Sequence, residues 1–285
     1  MHLVECPRDA MQGIKEFIPT HTKIKYLNAL LKVGFHTLDF GSFVSPKAIP
    51  QLADTKEVLA GLDLESTKTK LLAIIANQRG ANEALAHLQI SYLGYPLSIS
   101  ETFQQRNTNR SIAHAIEDVS RIQEMCQKAD RELVTYISMG FGNPYGDPYS
   151  VEIVDRFTDI LVTLGINIVS LSDTIGAAQP GQIGSLFAAL KKKYPDVQLG
   201  VHLHSTPEMA GEKIKAALEA GCQRFDGAIL GFGGCPMAED ELVGNIDTRT
   251  IIAQLEANGV DHKFDMDAFK EAENIASKEV FGVYQ

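Results

Sequence analysis

Residues 199–221 read "LGVHLHSTPEMAGEKIKAALEAG", and the fold turns on how that stretch divides. The first six residues suit an extended strand, in which successive side chains point to opposite faces and residues two apart share one. From Pro207 onward the apolar positions recur at helical spacing, and Gly221 supplies a helix stop. One strand followed by one amphipathic helix is the unit this defines. The unit recurs, with strands expected at 2–6, 36–40, 70–75, 88–93, 133–139, 167–172, 199–204 and 224–230. "IKYLNALLKVG", closing on Gly34, and "SIAHAIEDVSRIQEMCQKAD" are two of the intervening helical patterns. Eight such repeats call for parallel pairing through right-handed crossovers, and closing that sheet gives a (β/α)8 barrel, the TIM barrel. An open doubly wound sheet is the alternative, but no G-x-G-x-x-G follows a strand. The tail after Gly259 adds one further helix, "DMDAFKEAENIASKEVF", and no low-complexity linker interrupts the chain, so residues 1–285 read as one domain.

Composition narrows the function classes. A hydrophobic content of 45% in 285 residues is enough for a large core. No apolar run is long enough to span a bilayer, and "MHLVECPRD" has neither the basic start nor the apolar segment of a secretory signal. The four cysteines, Cys6, Cys126, Cys222 and Cys235, are scattered without a CxxC pair, which fits a reducing compartment. A cytoplasmic protein is expected. The net charge of -10 argues against wrapping a nucleic acid, while leaving room for an anionic small substrate held by a few local cations.

Active sites of this fold sit at the carboxyl ends of the strands, so polar residues should collect there. They do: Arg8 and Asp9 follow the first strand, Asp39 and Ser42 fall on the second, and Asp173 ends the sixth. His202 and His204 end the seventh, and Cys235 and Asn245 follow the eighth. The two histidines share a strand face and can reach one point, and Asp9 can add an oxygen from across the barrel mouth. An isolated H-x-H is more often a hydrogen-bonded pair than a ligand pair. The surrounding cluster favours a cation here, because idle ionisable groups would carry desolvation and repulsion costs. Mixed nitrogen and oxygen donors suit Mg2+ or Mn2+, with Zn2+ a less favoured choice.

The segments "VECPRDAMQ", "SFVSPKAIPQLADTKEVL", "SDTIG", "VHLH" and "GFGGCP" with a later "GN" together resemble the 3-hydroxy-3-methylglutaryl-CoA lyase family across nearly the whole chain. R-D, H-x-H and the late G-N are shared with a wider superfamily of metal-dependent lyases and Claisen-type synthases, whereas "GGCP" and "SFVSPK" discriminate. The resemblance implies a divalent-metal barrel that cleaves hydroxymethylglutaryl-CoA to acetyl-CoA and acetoacetate. It also implies Asp9, His202, His204 and Asn245 as metal ligands, and Arg8 as the cation that meets charge developing on the thioester oxygen. By the same resemblance Cys235 protonates the acetyl-CoA enolate, Asp173 relays the hydroxyl proton, and Asp39 stands where these lyases have glutamate. A structural ion pair of Arg8 with Asp39 or Asp173, and a small buried Cys235, are the plainer readings of those residues. The alternatives for the whole chain are a Claisen-type synthase joining acetyl-CoA to a 2-oxo acid, and a non-catalytic barrel that binds metal or acyl-CoA.

Three departures qualify the resemblance. Asp39 is one methylene shorter than glutamate, and Ser205 replaces the aspartate usual after the histidine pair. The segment "CPMAEDELVGN" is one residue longer than usual and carries Glu239, Asp240 and Glu241. "GFGNPYGDPYS" after the fifth strand reads as turn chemistry and, by resemblance, borders the substrate entrance. Lys23, Lys25 and Lys47 are candidate contacts for CoA phosphates, although surface lysines are ordinarily solubilising. A homodimer is only the general prior for soluble enzymes.

Overall fold

The computed structural model describes residues 1–234 and 243–282. Its strands are His2–Glu5 (β1), Thr37–Ser42 (β2), Lys70–Ile74 (β3), Ile90–Ser98 (β4), Glu132–Ser138 (β5), Ile168–Asp173 (β6), Gln198–Leu203 (β7) and Arg224–Gly227 (β8). They pair in sequence order, all parallel, and β1 closes on β8 from His2↔Arg224 to Glu5↔Gly227. The expected barrel is therefore the observed one.

Eleven α-helices cover the outside among the described residues: Pro7–Gln12 (α1), Thr20–Val33 (α2), Thr55–Ala60 (α3), Gln78–Leu85 (α4), Glu101–Thr108 (α5), Ile112–Lys128 (α6), Val151–Thr163 (α7), Pro180–Lys193 (α8), Pro207–Glu219 (α9), Thr248–Ala257 (α10) and Met266–Ile275 (α11). Leucines, isoleucines and phenylalanines of the helices' inner faces join the outward residues of the strands in one buried layer. Each such fully buried side chain contributes about 1.5–3 kcal/mol of transfer free energy. A smaller cluster, Leu72, Ile74, Tyr92, Val134, Tyr136 and Ile168, fills part of the barrel interior. The tail helix α11 packs on α2, where Phe269 meets Phe35 edge to face.

Two strands differ from the expected bounds by more than two residues, for local reasons. β4 starts two residues later, leaving Leu88 82% exposed, and runs on through Ser98. Its pairing with β3 ends at Gly94 while its pairing with β5 continues. Pro96, which has no amide hydrogen to donate, thus falls where one neighbour has already left. β8 stops at Gly227, and the chain turns through a short 3-10 segment at Ile229–Gly231. That turn leads into Phe232 and Gly233, which lie against Asn245.

Arg224 lies wholly inside the barrel with 0% exposure. A Cβ at Gly200 would come within 2.8–3.0 Å of the Arg224 stem, so the glycine on β7 makes the space that the arginine fills.

Glu5 is the tie between the start of the barrel and its last connection. One carboxylate oxygen accepts from the Ile229 amide at 2.8 Å and the other from the Thr248 hydroxyl at 2.6 Å. Burial pushes its pKa up to about 8 despite both bonds. The folded protein then keeps a proton that the unfolded chain releases from about pH 4.5 upward, so stability drains away as pH rises through this window. The loss is at most about 1.4 kcal/mol per pH unit. Glu5→Gln can make both contacts without titrating, and urea unfolding across this range should show a flatter pH slope for the variant. An unchanged slope would mean that Glu5 is ionised throughout.

Candidate active site

The short helix α1 begins immediately after β1, and its one and a half turns set three polar side chains over the barrel mouth. Arg8, Asp9 and Gln12 sit at helical neighbour spacings, i to i+3 and i+4. Arg8 Nη1 donates to Asp9 Oδ1 at 2.8 Å and to Gln12 Oε1 at 3.1 Å. Its Nε and Nη2 both donate to Asp39 Oδ2, at 2.9 and 2.6 Å. Gln12 Nε2 closes the ring on Asp9 Oδ1 at 2.7 Å. Gln12 was not anticipated, although its spacing from Arg8 and Asp9 on "PRDAMQ" carried the signal.

His202 lies on β7 and His204 just past its end, and their Nε2 atoms face each other at 3.3 Å. Asp9 offers a carboxylate oxygen to the same point, with the three donor atoms within 4.8 Å of one another. Asn245 is brought in by an isolated bridge to His204, supported by the Ser205 amide donating to Gly244. Its Nδ2 donates to Asp9 Oδ2 at 2.7 Å and to the Phe232 carbonyl at 2.9 Å. Gly233 crosses directly above, where an added Cβ would lie 2.7 Å from Asn245 Nδ2 and 2.8 Å from the Asp9 carbonyl. Its φ of +100° excludes other residues independently.

The charges follow from these contacts. Burial works against ionisation of Asp9, but Arg8 and the two histidines outweigh it and hold its pKa at about 2. Burial dominates at Asp39, lifting it to about 6 in spite of Arg8, and its Oδ1 is buried without a hydrogen-bond partner. Burial and the neighbouring His202 push His204 down to about 4, leaving a neutral imidazole able to ligate. Burial alone would depress His202; the Asp226 and Asp9 carboxylates outweigh it and raise its pKa. Asp226 Oδ2 faces His202 Nδ1 at 3.3 Å, the carboxylate support that fixes a ligating ring nitrogen on the other edge. Asp226 was also missed, although it alternates with Arg224 on the inward face of β8.

Beside this cluster opens a cavity of about 190 Å3. Arg8, Asp9, Gln12, His202 and His204 form its polar end, while Val44, Ile49, Ile74, Pro96 and Phe103 line its apolar side. Helix α5 supplies Phe103, Asn107 and Thr108 to the wall. The loop after β5 backs that wall: Asp147 accepts from the Ser100 hydroxyl and the Thr102 amide, and Tyr145 stacks on Phe103. The turn-rich segment thus borders the cavity through α5.

The structure revises three expectations. Asp173 does not reach the cavity, because on β6 it is one residue out of phase with the inward Ser170 and Ser172. It points into the helix layer, where Lys213 Nζ of α9 meets its Oδ2 at 2.9 Å and the Ala178 amide donates at 3.1 Å. The same ammonium donates to the carbonyls of Gly176 and His204, both at 2.8 Å. Asp173 therefore braces the rim behind His204 and does not line the cavity. Asp39 lies behind Arg8 rather than on the cavity wall, so it orients the guanidinium. Lys23 is buried and bonded to Asp54 and the Gln51 carbonyl, which removes it as a phosphate contact. The Ser205 hydroxyl turns to the neighbouring Thr206 carbonyl at 2.8 Å, away from the histidine pair. Cys235, with Glu239, Asp240 and Glu241, lies outside the described residues.

The donor set fits a divalent cation. Two imidazole nitrogens and a carboxylate held ionised lie within 4.8 Å of one another, and Asn245 stands alongside with an amide whose oxygen could join them after a half-turn. A closed parallel barrel with this cluster at the carboxyl ends of its strands defines a (β/α)8 enzyme with a candidate divalent-cation site. The chain belongs to the HMGL-like family, whose model matches residues 4–276.

It is 36% identical over 250 residues to hydroxymethylglutaryl-CoA lyase YngG of Bacillus subtilis, covering 88% of this chain and 83% of that one. The mitochondrial hydroxymethylglutaryl-CoA lyase of Macaca fascicularis is 32% identical over 270 residues, 94% of this chain and 82% of its own length. Among solved structures, an HMG-CoA lyase from Acinetobacter baumannii in complex with coenzyme A and 3-methylmalate superposes with a TM-score of 0.91 at 31% identity. That match covers 98% of this chain and 91% of the other. The carboxyl transferase domain of Rhizobium etli pyruvate carboxylase, 15% identical with a TM-score of 0.74, shares the fold alone. No helix among the described residues is long and apolar enough to cross a membrane.

Proposed function

We propose that this single barrel domain, residues 1–285, cleaves 3-hydroxy-3-methylglutaryl-CoA to acetyl-CoA and acetoacetate with the help of Mg2+ or Mn2+. The observation that carries the reading is the meeting of Arg8 with the Asp9, His202 and His204 donors at one end of one cavity. The lyase names of relatives at 31–36% identity support the substrate.

When bound, the ion supplies positive charge that eases loss of the substrate's tertiary hydroxyl proton and orients the breaking bond. Asp9, His202 and His204 would hold it, with Asn245 joining through its amide oxygen. The tertiary hydroxyl gives up its proton to solvent at the open end of the cavity and becomes the C3 ketone of acetoacetate, while the electron pair of the breaking C2–C3 bond moves to C2 and onto the thioester oxygen. Arg8 has five N–H donors. Four of the bonds described above hold it in place, leaving one donor for the developing oxyanion. Asp39 keeps the guanidinium plane fixed. Cys235 is assigned protonation of C2 on the strength of the "GGCP" resemblance, its thiol hydrogen replacing the lost bond. The apolar wall built on Phe103, Pro96 and Ile74 keeps water from the carbanion.

The first test is a chelator-controlled assay of purified protein with hydroxymethylglutaryl-CoA, following both products. Formation of acetyl-CoA and acetoacetate in equal amounts, abolished by chelation and restored by Mg2+ or Mn2+, is expected. A folded, metal-loaded sample that makes neither product would refute the substrate. Cys6, Cys126 and Cys222 are unpaired thiols, in keeping with a reducing, cytoplasmic setting. A homodimer accords with the usual two-fold association of soluble enzymes, and light scattering tests it.

A further inference from the structure

The His202 ring has a second set of neighbours on its other edge. Cys6, the residue just before α1, is 1% exposed, and its sulfur lies within 4.8 Å of both a His202 ring nitrogen and an Asp226 oxygen. Asp226 is itself 3% exposed, and its Oδ1 is buried without a hydrogen-bond partner. His202 opens this group to the cavity, since its side chain keeps 13% exposure. A thiol, an imidazole and a carboxylate form a donor set for a borderline-soft ion, and a contraction of about 1 Å would bring them to zinc bond lengths of roughly 2.0–2.3 Å.

Binding of a divalent ion there would convert the Cys6 thiol to a thiolate, its proton passing to solvent.

We propose that Cys6, His202 and Asp226 form a second cation site, selective for thiophilic divalent ions such as Zn2+ and mutually exclusive with the Asp9, His202, His204 set. Exclusion follows from the single imidazole. When Nε2 ligates an ion, Nδ1 carries the hydrogen that faces Asp226; an ion on the Nδ1 edge requires the opposite tautomer, and Nε2 can then no longer ligate. Zinc in the second set would silence the barrel by taking His202 from the first.

Co2+ is the probe, because thiolate ligation to it produces a charge-transfer absorption in the near ultraviolet. The measurement uses the full chain carrying Cys235→Ser, which removes the other thiol assigned to the mouth. This protein should show the thiolate-to-cobalt band, and adding Cys6→Ser should abolish it with the circular dichroism spectrum unchanged. Absence of the band in Cys235→Ser, or its survival in Cys235→Ser with Cys6→Ser, would overturn the site. Should the serine variant fail to fold, Cys6→Ala carries the same comparison. The inhibitory half rests on the proposed lyase reaction. With Mg2+ present, Cys6→Ser should raise the Zn2+ concentration for half-inhibition at least ~10-fold over the parent. An unchanged value would refute the exclusion. Failure of the parent to cleave hydroxymethylglutaryl-CoA would defeat the lyase reading while leaving the cobalt spectrum to decide the site.

Discussion

Arg8→Lys is expected to lower kcat by about 10²–10³-fold, the range seen when one donor to a developing oxyanion is removed. Lysine keeps the charge but not the planar fork. Arg8 reaches three different acceptor atoms, Asp39 Oδ2, Asp9 Oδ1 and Gln12 Oε1, and a single ammonium cannot span them and still present a hydrogen to the cavity. Because the change keeps a cation beside Asp9, Mn2+ affinity measured by calorimetry should move far less than kcat. That split separates an oxyanion role from general damage to the site. A lysine variant within a factor of about three of the parent kcat would remove Arg8 from the chemistry.

Lys213→Met is expected to cost about 3–5 kcal/mol of unfolding free energy, the effect of removing one partner of a buried ion pair. Lys213 and Asp173 side chains are 2% and 1% exposed, so neither can recover its lost partner from water without local opening. The carbonyls of Gly176 and His204 lose a donor in the same step. Asp173→Leu introduced into Lys213→Met should restore part of the loss, since removing both charges leaves none uncompensated. Urea unfolding of the two single variants and the pair measures the coupling. Strict additivity, or a loss below about 1 kcal/mol for Lys213→Met, would show that the pair does not brace the rim.

The barrel was legible because strands buried on both faces read as near-continuous apolar runs, and all eight runs overlap observed strands. The amphipathic helices were legible from the same period that buries their inner faces. Short helices such as α1 and α5 were not, since six to eight residues hold too few turns for a period to emerge. At the site, Arg8, Asp9, His202, His204 and Asn245 do converge, as their positions after strand ends implied. Asp173 points away from the cavity by strand parity, a direction that "SLSD" carries, since Ser170 and Ser172 share the opposite face. Lys213 went unremarked in the sequence, although the buried positions of α9 are Ala210, Lys213, Ile214 and Ala217, and the lysine sits on that stripe. The contacts of Asp39 depend on which atoms the Arg8 fork selects, information that no local pattern contains.

Closure of β1 on β8 bears on how the protein is made. Asp9 and its partner Asn245 stand 236 positions apart, and Glu5 stands 243 from Thr248. At a synthesis rate of about 5–20 residues per second, the ribosome takes on the order of 12–50 s between these residues. For most of that interval the nascent chain has its first carboxylate but no complete cation site, and β1 has no β8 to pair with. Divalent metal therefore cannot template the early steps of folding, and can reward only a chain whose last strand has already emerged and docked. A ribosome stalled before residue 202 would hold a product with most of the core sequence and neither histidine of the candidate cation site.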